Sequence, residues 1–225
     1  MDARKLQSAL QQALETSIGW SKVSDSSRLR TSNAARSGFF CYEAGQRLAS
    51  FAPEGSKLLQ IGFCDDKHAF ESGEWMLDAA IVEYDEDEKF IRRIHIAMES
   101  ESSTALAEVA KDFSKLLNVK ARTKIYLHGL DHATATTAEK LVNHRLGVAS
   151  ELIRNCDPYA EWFIAFWPSP RKVGERPSLW DELGQGGCFR HLAEVRLYRF
   201  DGKEFEPVLP DDRAAPALKI ASSAA

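Results

Sequence analysis

Two acidic residues stand two positions apart at the end of an apolar stretch, in the segment Glu99-Ser100-Glu101. Successive side chains of a β-strand point to opposite faces, so Glu99 and Glu101 would share one face, about 7 Å apart. A third acid, Asp78, interrupts an earlier apolar stretch. Clustered carboxylates repel one another unless a cation neutralises them, and their oxygen atoms suit Mg²⁺ or Mn²⁺. The three acids predict a divalent cation site that can polarise a phosphate ester and activate water.

The three acids converge only if the two stretches pair as a hairpin. Residues 75–84 and 90–101 are rich in β-branched and aromatic side chains, whereas the acidic run 85–88 between them is poor strand material. This pattern predicts two antiparallel strands joined by an acidic turn. In that register Asp78 lies opposite about Ala97, within two residues of Glu99.

The remaining elements follow from apolar periodicity and from turn residues. A leucine or isoleucine every fourth residue from Leu6 to Ile18 predicts the first helix. The run 162–167 is apolar on both faces, which is typical of a strand buried on both sides. The segments 21–37 and 171–187 are predicted loops. The predicted helices are 3–18, 39–51, 103–117 and 141–153, and the predicted strands are 57–63, 75–84, 90–101, 124–130, 162–167, 191–200 and 203–208.

The order of elements from 39 to 130 is helix, three strands, helix, strand. A strand–helix–strand crossover usually joins a parallel pair, here within a mixed sheet flanked by helices. A chain of 225 residues can bury one good core. We therefore predict a single α/β domain over 1–209, with its core at about 39–130, and a disordered Ala- and Ser-rich tail over 210–225.

Composition narrows the range of partners and compartments. The net charge of −4 excludes a wholly basic nucleic-acid-binding surface, so phosphate contacts would need local basic patches or bridging metal ions. The four cysteines have no C-x-x-C spacing, which indicates free thiols in a reducing cytosol. No signal segment or membrane span is evident, and a cytoplasmic protein is expected. The candidate basic patches are Arg28, Arg30 and Arg36, and Lys120, Arg122 and Lys124.

The spacing of the acids resembles a known superfamily. Asp78, twenty intervening residues and then Glu99-Ser100-Glu101, on the second and third strands of the predicted core, resemble the PD-(D/E)XK nucleases. The resemblance covers about 39–130 and implies a restriction-endonuclease-like fold (core αβββαβ). It also implies that Asp78 and Glu99 bind the metal ion, Mg²⁺ or Mn²⁺, whereas Glu101 is a third metal ligand by the convergence of the three acids alone.

The chain departs from the superfamily pattern at two positions. Leu77 stands where a proline is usual, and Glu101 stands where the motif usually has lysine. A Glu-x-Glu ending is also found in some restriction enzymes. In this chain Glu101 or a metal-bound hydroxide would then activate water.

Lys115 is the alternative source of the missing cation. The run Asp112-Phe113-Ser114-Lys115-Leu116-Leu117 resembles the Asp-Phe-x-Lys-Leu-Leu run of uncharacterised proteins with a similar Glu-x-Glu strand. In this interpretation Lys115 stabilises the charge that develops during catalysis. On a helical wheel Lys115 lies nearly opposite the apolar stripe, so it faces water or a wet cleft. The sequence leaves both alternatives open.

These residues predict a metal-dependent phosphodiester hydrolase, an endonuclease acting on nucleic acid with DNA as the first candidate, and the resemblance suggests a restriction or phage-defence setting. The catalytic candidates are Asp78, Glu99, Glu101 and Lys115. The alternative is a catalytically inactive nuclease-like fold that binds nucleic acid or another protein. The sequence leaves open whether the protein is a monomer or a homodimer.

Overall fold

The chain forms four α-helices and seven β-strands in the computed structural model, which describes residues 1–23, 33–60, 76–87, 89–103, 105–130, 135–169 and 194–209. The predicted loop 171–187 and the predicted tail 210–225 lie outside the described residues, as do residues 61–63 of the first predicted strand. The helices are α1 (Ala3–Val23), α2 (Asn33–Leu48), α3 (Leu106–Asn118) and α4 (Ala135–Cys156), and a 3₁₀ turn, Ala49–Phe51, follows α2. The strands are β1 (Lys57–Gln60), β2 (Ala79–Tyr84), β3 (Ile91–Glu101), β4 (Ala121–Leu130), β5 (Glu161–Pro168), β6 (Arg196–Phe200) and β7 (Phe205–Pro207).

All seven strands form one mixed sheet in chain order, from β1 at one edge to β7 at the other. Neighbouring strands are antiparallel except for the two pairs β3–β4 and β4–β5, which are parallel. Each parallel pair is joined through a helix, as a crossover connection requires. The predicted α/β class is confirmed, and so is the order helix, three strands, helix, strand from α2 to β4.

Each face of the sheet carries its own apolar core beneath two helices. Leu10 of α1 and Phe40 of α2 pack with Ile125 of β4 on one face, which we name the α1–α2 face. Phe113 of α3 and Val142 of α4 pack against the other face, named the α3–α4 face. Alternation along the strands decides which residues reach which face.

The inner strand β5 is buried on both sides, as its composition predicted. The side chains of residues 162–168 are all buried, and Trp162 and Trp167 are both fully enclosed. These two tryptophans belong to opposite cores, Trp162 to the α3–α4 face and Trp167 to the α1–α2 face. They are therefore core residues. Within the described part of the chain, no helix has both the length and the apolarity needed to cross a bilayer.

The N-terminal helices are longer than expected. The prediction ended the first helix at residue 18 and treated 21–37 as a loop. Residues 24–32 lie outside the described residues, but α1 continues to Val23 and α2 already begins at Asn33. Polar composition misled the prediction here. Arg36 is only 7% exposed, and the apolar stem of a long basic side chain can be buried in a helix–helix contact.

The hairpin forms as predicted, but its register differs. Asp78 was expected opposite about Ala97, whereas the partner of Ala97 is Ala80. Two irregularities, between Ile81 and Val82 and between Glu83 and Tyr84, each leave one extra residue in β3. Such bulges shift the pairing beyond them. The shift moves Asp78, which lies just before β2 rather than within it, towards the C-terminal end of β3.

Candidate functional site

Asp78 and Glu99 meet where β2 begins and β3 ends. Ala79 pairs with Met98, so Asp78 is level with Glu99. The backbone N–H of Ser100 donates a hydrogen bond of 2.7 Å to Oδ2 of Asp78, which fixes this carboxylate against the end of β3. Ala97 belongs to the core of the α3–α4 face, and by alternation Glu99 points to the same face.

Glu99 is an acid with almost no contact with water. Its side chain is 1% exposed, and its Oε2 lies 3.1 Å from Nζ of Lys115. Its Oε1 is buried and has no hydrogen-bond partner among the residues that the structure describes. Burial, together with the nearby charge of Asp78, raises the pKa of Glu99 to about 8, and Lys115 opposes this rise. A buried carboxylate oxygen without a partner is costly, so this atom is the strongest indication of a ligand at the site.

Asp78 shares this desolvated environment. Burial raises the pKa of Asp78 to about 6, although the hydrogen bond from the Ser100 backbone and the charge of Lys115 both lower it. The two neighbouring acids therefore hold protons more tightly than ordinary carboxyls do. A divalent cation would displace those protons and bind one almost inaccessible carboxylate, Glu99, and one partly buried carboxylate, Asp78.

Lys115 lies at the acids, which the helical wheel alone did not establish. Its Nζ contacts Glu99 at 3.1 Å and Oδ1 of Asp112 at 2.9 Å, and its side chain is 32% exposed. Burial lowers the pKa of Lys115, but the hydrogen bonds to Asp112 and Glu99 outweigh this effect and raise the pKa to about 12. The ammonium is therefore charged at any physiological pH, on a side chain that is partly exposed to water.

Asp112 belongs to the same group, although the sequence analysis did not select it as a candidate. It precedes Lys115 by three positions on α3, where helical side chains are neighbours. Its side chain is only 14% exposed. The signal that could have identified Asp112 was this spacing within the run that resembles Asp-Phe-x-Lys-Leu-Leu.

Glu101 is held differently from the other two acids. Its Oε1 accepts hydrogen bonds of 2.6 Å from the backbone N–H groups of Ser102 and Ser103. These contacts tie the carboxylate to the turn that follows β3. In the described ranges no three or more side chains of the types Asp, Glu, His and Cys are grouped so that they could hold one metal ion. The role of Glu101 as a third ligand stays a prediction.

The two remaining acids, Asp78 and Glu99, fit a hard divalent cation. Mg²⁺ typically takes one or two protein carboxylates and completes its shell with water and substrate phosphate. The donors here are carboxylate oxygens, and Oε1 of Glu99 is available because it has no hydrogen-bond partner. The donor set therefore suits Mg²⁺ or Mn²⁺ and does not suit a thiophilic ion.

Close packing at a glycine maintains the turn that follows β3, to which Glu101 is bonded. A Cβ added at Gly129 would lie 2.4 Å from Oγ and 2.9 Å from Cβ of Ser102, and 3.2 Å from Cβ of Ser169. We expect Gly129→Ala to displace Ser102, whose N–H binds Glu101, and to destabilise the protein by about 1–2 kcal/mol. Thermal melting against the wild type measures this effect. Gly147→Ala is the matched control, because nothing lies within 4 Å of that Cβ position; equal melting of the two variants would contradict the expectation.

The basic cluster Lys120, Arg122 and Lys124 is not a simple phosphate-binding patch. Lys124 is 1% exposed and forms an ion pair with Asp157. Lys120 and Arg122 are exposed at the start of β4, where Ala121 pairs with Ile94. This point is five residues from Glu99 along β3, or roughly 17 Å. Lys120 and Arg122 therefore lie well away from the acids. Of the other basic group, Arg28 and Arg30 lie outside the described residues.

Comparisons with known proteins do not assign the chain to a family. No family model, no curated protein and no solved structure matches it. The chemistry of the site is therefore argued from its own residues.

Proposed function

We propose that the chain is a metal-dependent phosphodiester hydrolase with a restriction-endonuclease-like fold, an endonuclease that acts on nucleic acid, with DNA as the first candidate. The observation that carries the proposal is the carboxylate of Glu99, which is buried beside Asp78 with one oxygen unpaired and an ammonium 3.1 Å from the other. The order αβββαβ of α2 to β4 supports the same assignment. A restriction or phage-defence setting follows from the superfamily resemblance alone.

Asp78 and Glu99 would hold the cation, Mg²⁺ or Mn²⁺. When bound, this ion would polarise the phosphodiester and lower the pKa of water. The backbone N–H of Ser100 keeps Asp78 oriented. Lys115, with part of its side chain in water, can stabilise negative charge on the phosphate as that charge develops. Glu101 uses one oxygen to accept two backbone N–H groups, and its other oxygen would accept the proton of the attacking water.

A catalytically inactive nuclease-like fold is the second candidate. The observation that favours it is the contact between Lys115 and Glu99, which gives the buried acid a cationic partner without a metal. Such a protein would use the surface around Lys115 to bind nucleic acid or another protein.

Cleavage assays separate the two candidates. Purified protein is incubated with supercoiled plasmid and with single-stranded DNA, in Mg²⁺, in Mn²⁺ and with a chelator. We expect cleavage that requires the metal, and a loss of about 10- to 100-fold in Asp78→Asn, because the amide still meets the Ser100 N–H but lacks the charge that binds the ion. Asp87→Asn is the matched control, since Asp87 is 71% exposed in the β2–β3 turn.

Two other outcomes would contradict the proposed nuclease site. Cleavage at the wild-type rate in Asp78→Asn would assign the activity to another site or to a contaminant. The absence of cleavage by the wild type with both metals would favour the non-catalytic candidate.

A further inference from the structure

The Lys115 ammonium is bound by two carboxylates of different character. On one side, 3.1 Å away, is Glu99, which is almost fully buried; on the other, 2.9 Å away, is Asp112, which is 14% exposed. Asp112 and Lys115 are on the same helix, α3, whereas Glu99 is on β3. The ammonium therefore has one partner that moves with it and one that belongs to the sheet.

A cation at Glu99 changes the balance between these two partners. A divalent ion on the Glu99 carboxylate would repel an ammonium bonded to the same group, and at such short separations in a poorly solvated site this repulsion is strong. The ion would bind the free Oε1 of Glu99 whereas the ammonium contacts Oε2, and we expect the repulsion between them to move Lys115 away from Glu99. Asp112 already bonds the ammonium, so the move requires a small rotation of the lysine side chain and no loss of its remaining ion pair.

We propose that Asp112 is a positioning residue, which retains the Lys115 ammonium when a divalent cation binds Glu99. Lys115 serves as an internal cation for Glu99 in the metal-free protein, and Asp112 keeps it beside the substrate phosphate once the ion is bound. The inference rests on the metal site of the proposed function. It assigns Asp112 a role that acts through Lys115 and needs no contact with the metal.

This exchange of partners predicts that the effects of Asp112 and Lys115 on metal affinity depend on each other. Removing Asp112 leaves the ammonium with Glu99 alone of these two partners. The metal ion must then compete with a lysine that Glu99 holds more tightly. If Lys115 is removed first, there is no ammonium to retain, and Asp112 acts on the site only through its own negative charge. The effect of Asp112 on metal affinity should therefore depend on the presence of Lys115, which is what a double-mutant cycle measures.

The test is calorimetric titration of the full chain with Mn²⁺ alone, in wild type, Asp112→Asn, Lys115→Met and the double variant. We expect Asp112→Asn to weaken Mn²⁺ binding about tenfold in the wild type and less than about twofold in the Lys115→Met background. Lys115→Met alone should bind Mn²⁺ more tightly than the wild type while cleaving more slowly. Glu108→Gln, an exposed acid in the first turn of α3, is the control for loss of one charge from this helix.

The outcomes distinguish the two proposals. If the wild type binds Mn²⁺ and Asp112→Asn weakens binding equally in both backgrounds, Asp112 acts only through space and this inference is overturned while the metal site stands. If Asp112→Asn binds like the wild type, the inference also fails alone. If the wild type binds neither Mn²⁺ nor Mg²⁺, the metal site and the inference fail together. Melting without metal verifies that each variant folds, and Asp112→Glu should restore most of the affinity.

Discussion

Glu99→Gln is expected to abolish the binding of Mn²⁺ and to reduce metal-dependent cleavage about a thousandfold, while stabilising the metal-free protein above pH 8. The loss of binding follows from the loss of the only nearly inaccessible carboxylate among Asp78, Glu99 and Asp112. Removal of a group that acts in the transition state typically costs a factor of this order. The gain in stability follows from the pKa of Glu99.

The pKa of Glu99 in the folded protein determines whether stability rises or falls with pH. The pKa of Glu99 is about 8 in the folded protein, against an ordinary value of 4.5, because the ionised form is buried. The folded protein therefore binds this proton more tightly than the unfolded chain does. The contribution to stability is fully present below pH 4.5 and is lost progressively as the pH rises to 8. Glutamine cannot ionise, so the variant should keep this contribution to stability at high pH. Its free energy of unfolding should exceed that of the wild type by about 2 kcal/mol above pH 8.

Chemical denaturation at pH 5 and pH 8.5 without metal measures this difference. We expect a clear advantage of Glu99→Gln at pH 8.5 and only a small one at pH 5. Mn²⁺ should raise the melting temperature of the wild type at pH 8 and leave that of the variant unchanged. Glu86→Gln, in the exposed β2–β3 turn, controls for the loss of one negative charge. A Glu99→Gln protein that Mn²⁺ still stabilises would show that the ion binds elsewhere.

Lys124→Ala is expected to destabilise the protein by about 3 kcal/mol, the largest effect we expect among the basic residues. The Lys124 side chain is 2% exposed and forms an ion pair with Asp157, which is 21% exposed. Its Nζ lies 4.9 Å from the centre of the Trp162 ring, whose Nε1–H donates to the Asp157 carbonyl at 3.2 Å. Alanine removes the ion pair, the ring contact and the buried stem, leaving a cavity.

Two further variants test whether Lys124 has a structural role or contacts nucleic acid. Lys124→Met keeps the volume of the stem and should cost less than Lys124→Ala in urea unfolding, because apolar replacement of a buried ion is often well tolerated. Lys120→Ala, at an exposed position, should change stability by less than about 0.5 kcal/mol. If Lys124→Ala were as stable as Lys120→Ala, the ion pair with Asp157 would contribute nothing, and Lys124 would again be a candidate for phosphate contact.

Much of the architecture is visible in the sequence because burial repeats with the period of each element. The alternation and the acidic turn predicted the β2–β3 hairpin, and the wholly apolar run 162–167 predicted a strand covered on both sides. These signals are local, since a strand or a helix that buries one face must repeat its apolar residues at a fixed spacing. The α/β class and the proximity of Asp78 to Glu99 in the fold followed from them.

Long-range packing decided the details of the site. The bulges in β3 moved Asp78 level with Glu99, and a bulge depends on how two whole strands pair. The crossover from β3 through α3 to β4 brought Lys115 and Asp112 to Glu99, sixteen residues away from Lys115 in the chain. The same packing enclosed Lys124, which looked like a surface cation beside Lys120 and Arg122. Sequence periodicity records which residues are buried, whereas the partner of a buried charge is set by the approach of elements distant in the chain.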